Sequence, residues 1–223
     1  MKRFVLLAGL VGLLGMGCSG SDDNGEASPD IYPLSVGNWW RFSAVNSQDT
    51  SWFVDSVISY EDFGSYGNAF SIKEVNESGY NFNWHAQYSD GYLVFLLAGS
   101  TDTTELKIME RYPKVGDSWA SGVLTLIYDR DGDNIDDTVC TIQYVDVVSQ
   151  EDLSTPAGDF QGVYKSLTSS KDSVWYSSDS TWHVDSAAEN DTYYYWAAGI
   201  GLVKYHPYET DTTGYHLDSY SVK

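Results

Sequence analysis

The clearest pattern along the chain is a strict alternation over residues 80–88. Tyr80, Phe82, Trp84, Ala86 and Tyr88 fall on one side, and Asn81, Asn83, His85 and Gln87 on the other. Successive strand side chains point to opposite faces, so this period predicts a strand with one buried and one wet face, with His85 solvated. Ser89-Asp90-Gly91 reads as a tight turn, and the apolar run Tyr92–Ala98 as a partner strand buried on both faces. Further strands are predicted over 39–45, 51–60, 69–75, 105–109, 123–128, 138–148, 162–168, 173–176, 192–197 and 201–205. No stretch beyond residue 30 carries an apolar 3.6-residue period over three turns. The expectation is an all-β chain: a large curved antiparallel sheet, forming an open barrel or a sandwich.

A second pattern is an echo. Tyr32-Pro33-Leu34-Ser35-Val36-Gly37-Asn38-Trp39-Trp40 recurs, one residue shorter, as Tyr112-Pro113-Lys114-Val115-Gly116-Asp117-Ser118-Trp119. Proline holds the chain extended, the glycine permits a turn at positive φ, and the tryptophan opens a strand by covering core. Residues 31–223 are read as one β-rich domain, and the echo is either an internal duplication with halves starting near residues 31 and 111 or two similar turns.

The N-terminus follows a different logic. Lys2 and Arg3 precede an uncharged apolar run from Phe4 to Met16, shorter than the about 20 residues a membrane-spanning helix needs. A positive start, a short apolar run and small residues before a break mark a secretory leader. Leu14-Gly15-Met16-Gly17-Cys18 resembles a bacterial lipoprotein signal. The resemblance implies a signal peptide over 1–17, a covalent lipid on Cys18 and a membrane anchor. Ser19 after the cysteine implies sorting to the bacterial outer membrane. Residues 18–30 are polar and rich in Ser, Gly and Asp, as a flexible tether would be.

Composition narrows the partners. The formal net charge is −20, with 12 basic against 32 acidic residues. Such a surface repels phosphate backbones, which excludes nucleic acid as a partner. It permits divalent cations and neutral ligands, such as a polysaccharide or a lipid. With Cys18 lipidated, Cys140 has no partner in the chain and reads as a small buried hydrophobe in a strand.

Candidate chemistry is sparse. Asp129-Arg130-Asp131-Gly132-Asp133-Asn134-Ile135-Asp136-Asp137 places carboxylates at alternate positions. Calcium takes six to eight hard oxygens, so the loop is a candidate calcium site. Asp129, Asp131 and Asp133 would give side-chain oxygens, Ile135 its carbonyl, and Asp136 or Asp137 would close the shell. The same residue types also make a hairpin turn without metal. His85, His183, His206 and His216 lack zinc spacing, and neither a Gly-x-Ser-x-Gly elbow nor a phosphate-cradling loop occurs. No catalytic residue is assigned. The eight tryptophans are read chiefly as core, the alternative being a sugar-stacking strip.

Thr155-Pro156-Ala157-Gly158-Asp159-Phe160 and Tyr195-Trp196-Ala197-Ala198-Gly199-Ile200-Gly201-Leu202-Val203 resemble motifs of uncharacterised bacterial lipoproteins. That resemblance implies a curved sheet loosely similar to the periplasmic lipoprotein-carrier fold, and carries over no catalytic residue. The expected function is a non-enzymatic binding or structural role in the cell envelope. An acyl-chain carrier or chaperone and a carbohydrate-binding surface module are the alternatives.

Overall fold

A computed structural model describes residues 30–45, 51–79, 81–98, 103–129, 131–185, 191–207 and 214–223. The leader, Cys18, most of the tether, Tyr80 and Arg130 lie outside the described residues. The strands are β1 (Trp39–Ala44), β2 (Trp52–Asp62), β3 (Asn68–Asn76), β4 (Asn81–Ser89), β5 (Tyr92–Ala98) and β6 (Thr103–Glu110). Then follow β7 (Ser118–Tyr128), β8 (Asp137–Thr155), β9 (Gly158–Tyr176), β10 (Thr181–Asp185), β11 (Thr192–Ala197), β12 (Gly201–Pro207) and β13 (Tyr215–Ser221). β10 and β13 are not among the predicted strands, although the five residues of β10 do alternate polar and apolar. The two segments predicted over 162–168 and 173–176 are one strand, β9.

All pairings are antiparallel, in the order β6-β5-β4-β3-β2-β1-β13-β12-β11-β9-β8-β7, with β10 beside the far half of β9. The sheet is thus two six-stranded meanders, β1 to β6 and β7 to β13 without β10, joined by the β1–β13 ladder. Turn chemistry fixes the joints. Asp90 and Gly91 both take positive φ, 51° and 84°, the twist a two-residue hairpin needs.

The two Tyr-Pro turns occupy equivalent places in the two meanders. Gly37 donates to the Val57 carbonyl and Val57 to the Asn38 carbonyl, both at 2.9 Å. Gly116 and Val147, then Val147 and Asp117, repeat that scheme at 2.8 and 2.9 Å. Just past each lock the register slips, between Val57 and Ser59 and between Val147 and Ser149. Such bulges bend a strand and increase its twist, which curls the sheet.

Curling brings β6 and β7 side by side, giving a nearly closed barrel rather than a sandwich. Among the described residues no ladder joins these two strands. Instead the Trp119 indole donates to the Lys107 carbonyl at 2.8 Å across the seam. Gly122 permits the approach: a Cβ there would lie 2.5 Å from the Glu105 carbonyl oxygen.

The apolar faces point into the lumen. Trp40, Phe42, Val57, Ile72, Trp84, Leu93, Trp196 and Leu217 belong to one core cluster. The outward faces carry charge, including Lys73, Glu105, Asp146 and Lys171. This is the reverse of a barrel that faces lipid. One end of the lumen is covered by the segment before β1. Ile31 and Tyr32 are buried there, and Tyr32 stacks on Trp40 with ring centres 4.4 Å apart. The Tyr88 hydroxyl donates to the Tyr32 carbonyl at 2.8 Å and accepts from its N–H at 3.0 Å. The Arg111 guanidinium clamps Asp30 with contacts of 2.5 and 2.8 Å. The β8–β9 hairpin tip folds over the same end, where Ala157 donates to Leu217 at 3.1 Å.

A second, smaller cluster lies outside the barrel: Ala69, Val94 and Leu96 under Phe63, Tyr66 and Tyr92. β5 is therefore buried on both faces, as its sequence predicts. The same cover corrects the reading of His85. Its ring sits 4.1 Å from the Phe63 ring and its Nε2 lies 3.2 Å from Glu61, so the strand's outer face is half-buried, not fully wet.

Gly122→Val should force the seam apart and cost about 1–3 kcal/mol, a fall in Tm of several degrees. Ala120→Val, at an exposed position two residues earlier, should leave Tm within about 2 °C. Thermal denaturation of both variants checks the difference.

Candidate functional site

The lumen is not filled. A cavity of about 370 Å³ lies between the two meanders, within the range of small-molecule sites. Half of its lining residues are aromatic, with Phe42, Phe53, Trp84, Phe95, Tyr194 and Trp196 among them. Five polar side chains join them: Asp55, Glu74, Ser121, Gln143 and Thr168. Among the described residues no lysine, arginine or histidine lines the cavity.

The strand pairing places the two acids together. In β2, Phe53, Asp55 and Val57 share the inward face; in β3, Ile72 and Glu74 do so. Asp55 stands directly opposite Glu74 in the β2–β3 ladder. Like charges in that relation oppose each other and destabilise the pair. Asp55 is 8% exposed. It accepts a hydrogen bond from the Trp84 side chain, while its Oδ1 has no hydrogen-bond partner. Burial first, then the neighbouring Glu74 charge, push the Asp55 carboxyl up to about 8, against the Trp84 hydrogen bond. Burial also raises Glu74. Tyr205, lining the same cavity, is raised above the usual phenol range by burial and by Tyr215, Tyr194, Glu74 and Asp55 in turn. Ser121 Oγ on β7 is likewise buried without a hydrogen-bond partner. Buried polar groups are normally satisfied, so two lone ones facing one cavity mark a place built for something polar.

The residues singled out in the sequence fall elsewhere. Asp129 to Asp137 join β7 to β8 at the barrel end opposite Tyr32, as the hairpin reading expects. The carboxylates of Asp129, Asp131 and Asp137 come within 4.8 Å of one another. Asp133, Ile135 and Asp136 are not in that group. Asp129 accepts from the Gly132 and Asn134 amides at 2.7 and 2.9 Å, and Asp133 from Ile135 at 2.8 Å. Asp137 is buried at the start of β8 and accepts from the Ser177 amide at 2.9 Å. The bonds of Asp129 and Asp133 are turn chemistry, whereas that of Asp137 ties β8 to the segment after β9. Cys140 is half-buried rather than buried, 3.7 Å from the Thr125 hydroxyl. The four histidines stand on four different strands. Of the eight tryptophans only Trp182 is exposed, and its neighbour Trp175 meets it edge-on at 61°, not coplanar.

Asp55 and Glu74 escaped the sequence reading. Their signal is an acid on the apolar face of an alternating strand, Phe53-x-Asp55-x-Val57 and Phe70-x-Ile72-x-Glu74. With 32 acids in the chain, only the pairing register shows that these two meet.

The raised Asp55 carboxyl is a stability statement. Its folded value lies above the ordinary 3.8, so the folded state holds a proton that the unfolded chain has lost. Stability therefore falls as pH rises between about 4 and 8. Asp55→Asn should raise Tm at pH 9 by several degrees, with the gain vanishing toward pH 4. Melting curves across that range check the sign.

No family model matches the chain, and neither does any curated protein. Two solved structures resemble it. One is a candidate lipoprotein from Parabacteroides distasonis ATCC 8503, 14% identical, at a TM-score of 0.52, covering 88% of this chain and 100% of that one. The other is a candidate exported protein with a YmcC-like fold from Bacteroides fragilis NCTC 9343, 17% identical, at a TM-score of 0.48, covering 86% and 99%. The likeness to the first is a likeness of fold.

Proposed function

We propose that the chain is a lipid-anchored, non-enzymatic lipoprotein of the bacterial outer membrane that holds a small apolar molecule inside its barrel. The observation that carries this reading is the aromatic cavity of about 370 Å³ with a buried, unpartnered carboxylate oxygen in its wall. Burying a carboxylate opposite a second one costs stability, and a cavity forfeits packing that a filled core would gain. A fold that keeps both gives up stability for a site.

The leader sequence and the fold shared with a candidate lipoprotein support the envelope address. Residues 30–38 and Lys223 meet at one end of the barrel, where Lys223 N–H donates to Asn38 at 3.1 Å. A tether from Cys18 enters at that end, so the end bearing the Asp-rich loop points away from the membrane. The sugar-binding alternative is less well supported, because one exposed tryptophan makes no flat strip.

Cys18→Ser should move the chain from the membrane fraction to the soluble fraction. Native mass spectrometry of the protein from its own membrane should show a lipid mass on Cys18 and a co-purified small molecule. Thr168→Trp, which fills the cavity, should lose the small molecule and keep the lipid, with an unchanged circular dichroism spectrum. An unmodified Cys18 would overturn the anchor. Failure of the wild-type protein to retain any small molecule would overturn the ligand-holding role.

A further inference from the structure

We infer that the cavity selects apolar molecules bearing a protonated amine, seated against Asp55 on the wall formed by β2, β3 and β4. The inference rests on the ligand-holding reading above and gives the ligand's head group its chemistry.

Charge decides the class. Among the described residues, Asp55 and Glu74 are the only ionisable carboxyl or basic side chains in the cavity wall, and both are acids. A carboxylate or phosphate head would meet like charge in a poorly solvated space, with no cation to offset it. This argues against a free fatty acid or an anionic lipid head in this cavity. A neutral hydroxyl could reach Asp55 Oδ1 but carries no positive charge to stabilise either acid as its carboxylate. An ammonium group offers three donors and no acceptor, which suits one unpartnered oxygen beside a second acid. Phe53, Trp84 and Tyr205 line the cavity with these acids, and aromatic faces attract a cation once it is desolvated. The formal net charge of −20 also draws cations to the molecule.

The groups that face Asp55 are few. Glu74 on β3 raises it and Trp84 on β4 donates to it. Tyr32 in the covering segment and Tyr205 on β12 both sense its charge. With its carboxyl at about 8, Asp55 is mainly protonated at neutral pH in the ligand-free barrel. An arriving ammonium pairs with the carboxylate, so the carboxyl O–H breaks and its proton passes to the buffer. The ammonium keeps all its protons, one ion pair forms, and nothing is oxidised or reduced. Binding near pH 7 should therefore release up to about one proton per ligand, and less at pH 9, where Asp55 is already ionised.

The test is a calorimetric titration of the full chain with octylamine, octanol and octanoate at pH 7, in two buffers of different ionisation enthalpy. Thr168→Trp serves as the blocked control, so that only signal lost in this variant counts as cavity binding. Octylamine should bind at least about tenfold tighter than octanol, octanoate should bind weakest, and proton release should accompany the amine alone. Asp55→Asn should weaken octylamine about tenfold or more, leave octanol unchanged and abolish proton release. Equal binding of octylamine and octanol to the wild type overturns the head-group inference and leaves the ligand-holding role standing. So does an Asp55→Asn variant that keeps the amine preference. No cavity binding by any of the three overturns both.

Discussion

The close approach of β7 to β6 at Gly122 is the constraint on which the structure turns. A sheet of this length has two faces, and its apolar face needs cover. Closing the sheet on itself gives that cover without a second layer, since the lumen becomes the core. No backbone ladder completes the circle among the described residues, so the seam relies on the Trp119 hydrogen bond to Lys107 and on the missing Cβ of Gly122. The bulges after Val57 and Val147 supply the curvature that brings the two strands together.

Closure creates the interior in which chemistry changes. On an open sheet Asp55 and Glu74 would be two solvated acids with ordinary properties. Inside the barrel they share a cavity lined largely by aromatic and aliphatic side chains, and desolvation becomes the leading influence on both. The site is not an added feature but a consequence of which strand positions the curl turns inward. Its polar members come from both meanders: Asp55 and Glu74 from the first, Ser121, Gln143 and Thr168 from the second. Neither half carries the cavity by itself.

The two ends of the barrel differ in kind. At one end Ile31 and Tyr32 sit in the core, held by Tyr88, Trp40 and the Arg111–Asp30 clamp. The folded domain is thereby locked to the stretch that leads back to Cys18. At the other end lies the acidic loop after β7, whose carboxylates cap its own amides. Asp131, Asp133 and Asp136 are exposed in that loop and make this end of the barrel acidic.

The sequence by itself determined the fold class, because a two-residue period and punctuating turns act locally. The alternation of β4, the Asp90-Gly91 hairpin and the doubly buried β5 were all legible, since each depends on a few adjacent residues. The repeated Tyr-Pro turn was legible too, although only coordinates show that both copies make the same hydrogen bonds to Val57 and Val147. Tertiary structure decided the rest. Strands β10 and β13 are short and are established by the edges that β9 and β1 offer them. His85 lost its water to a segment more than twenty residues earlier. The candidate site was illegible for the same reason. An acid on an apolar face becomes unusual only when a pairing register sets another acid opposite it and barrel closure removes the solvent from both, and neither event is encoded within any single stretch of chain.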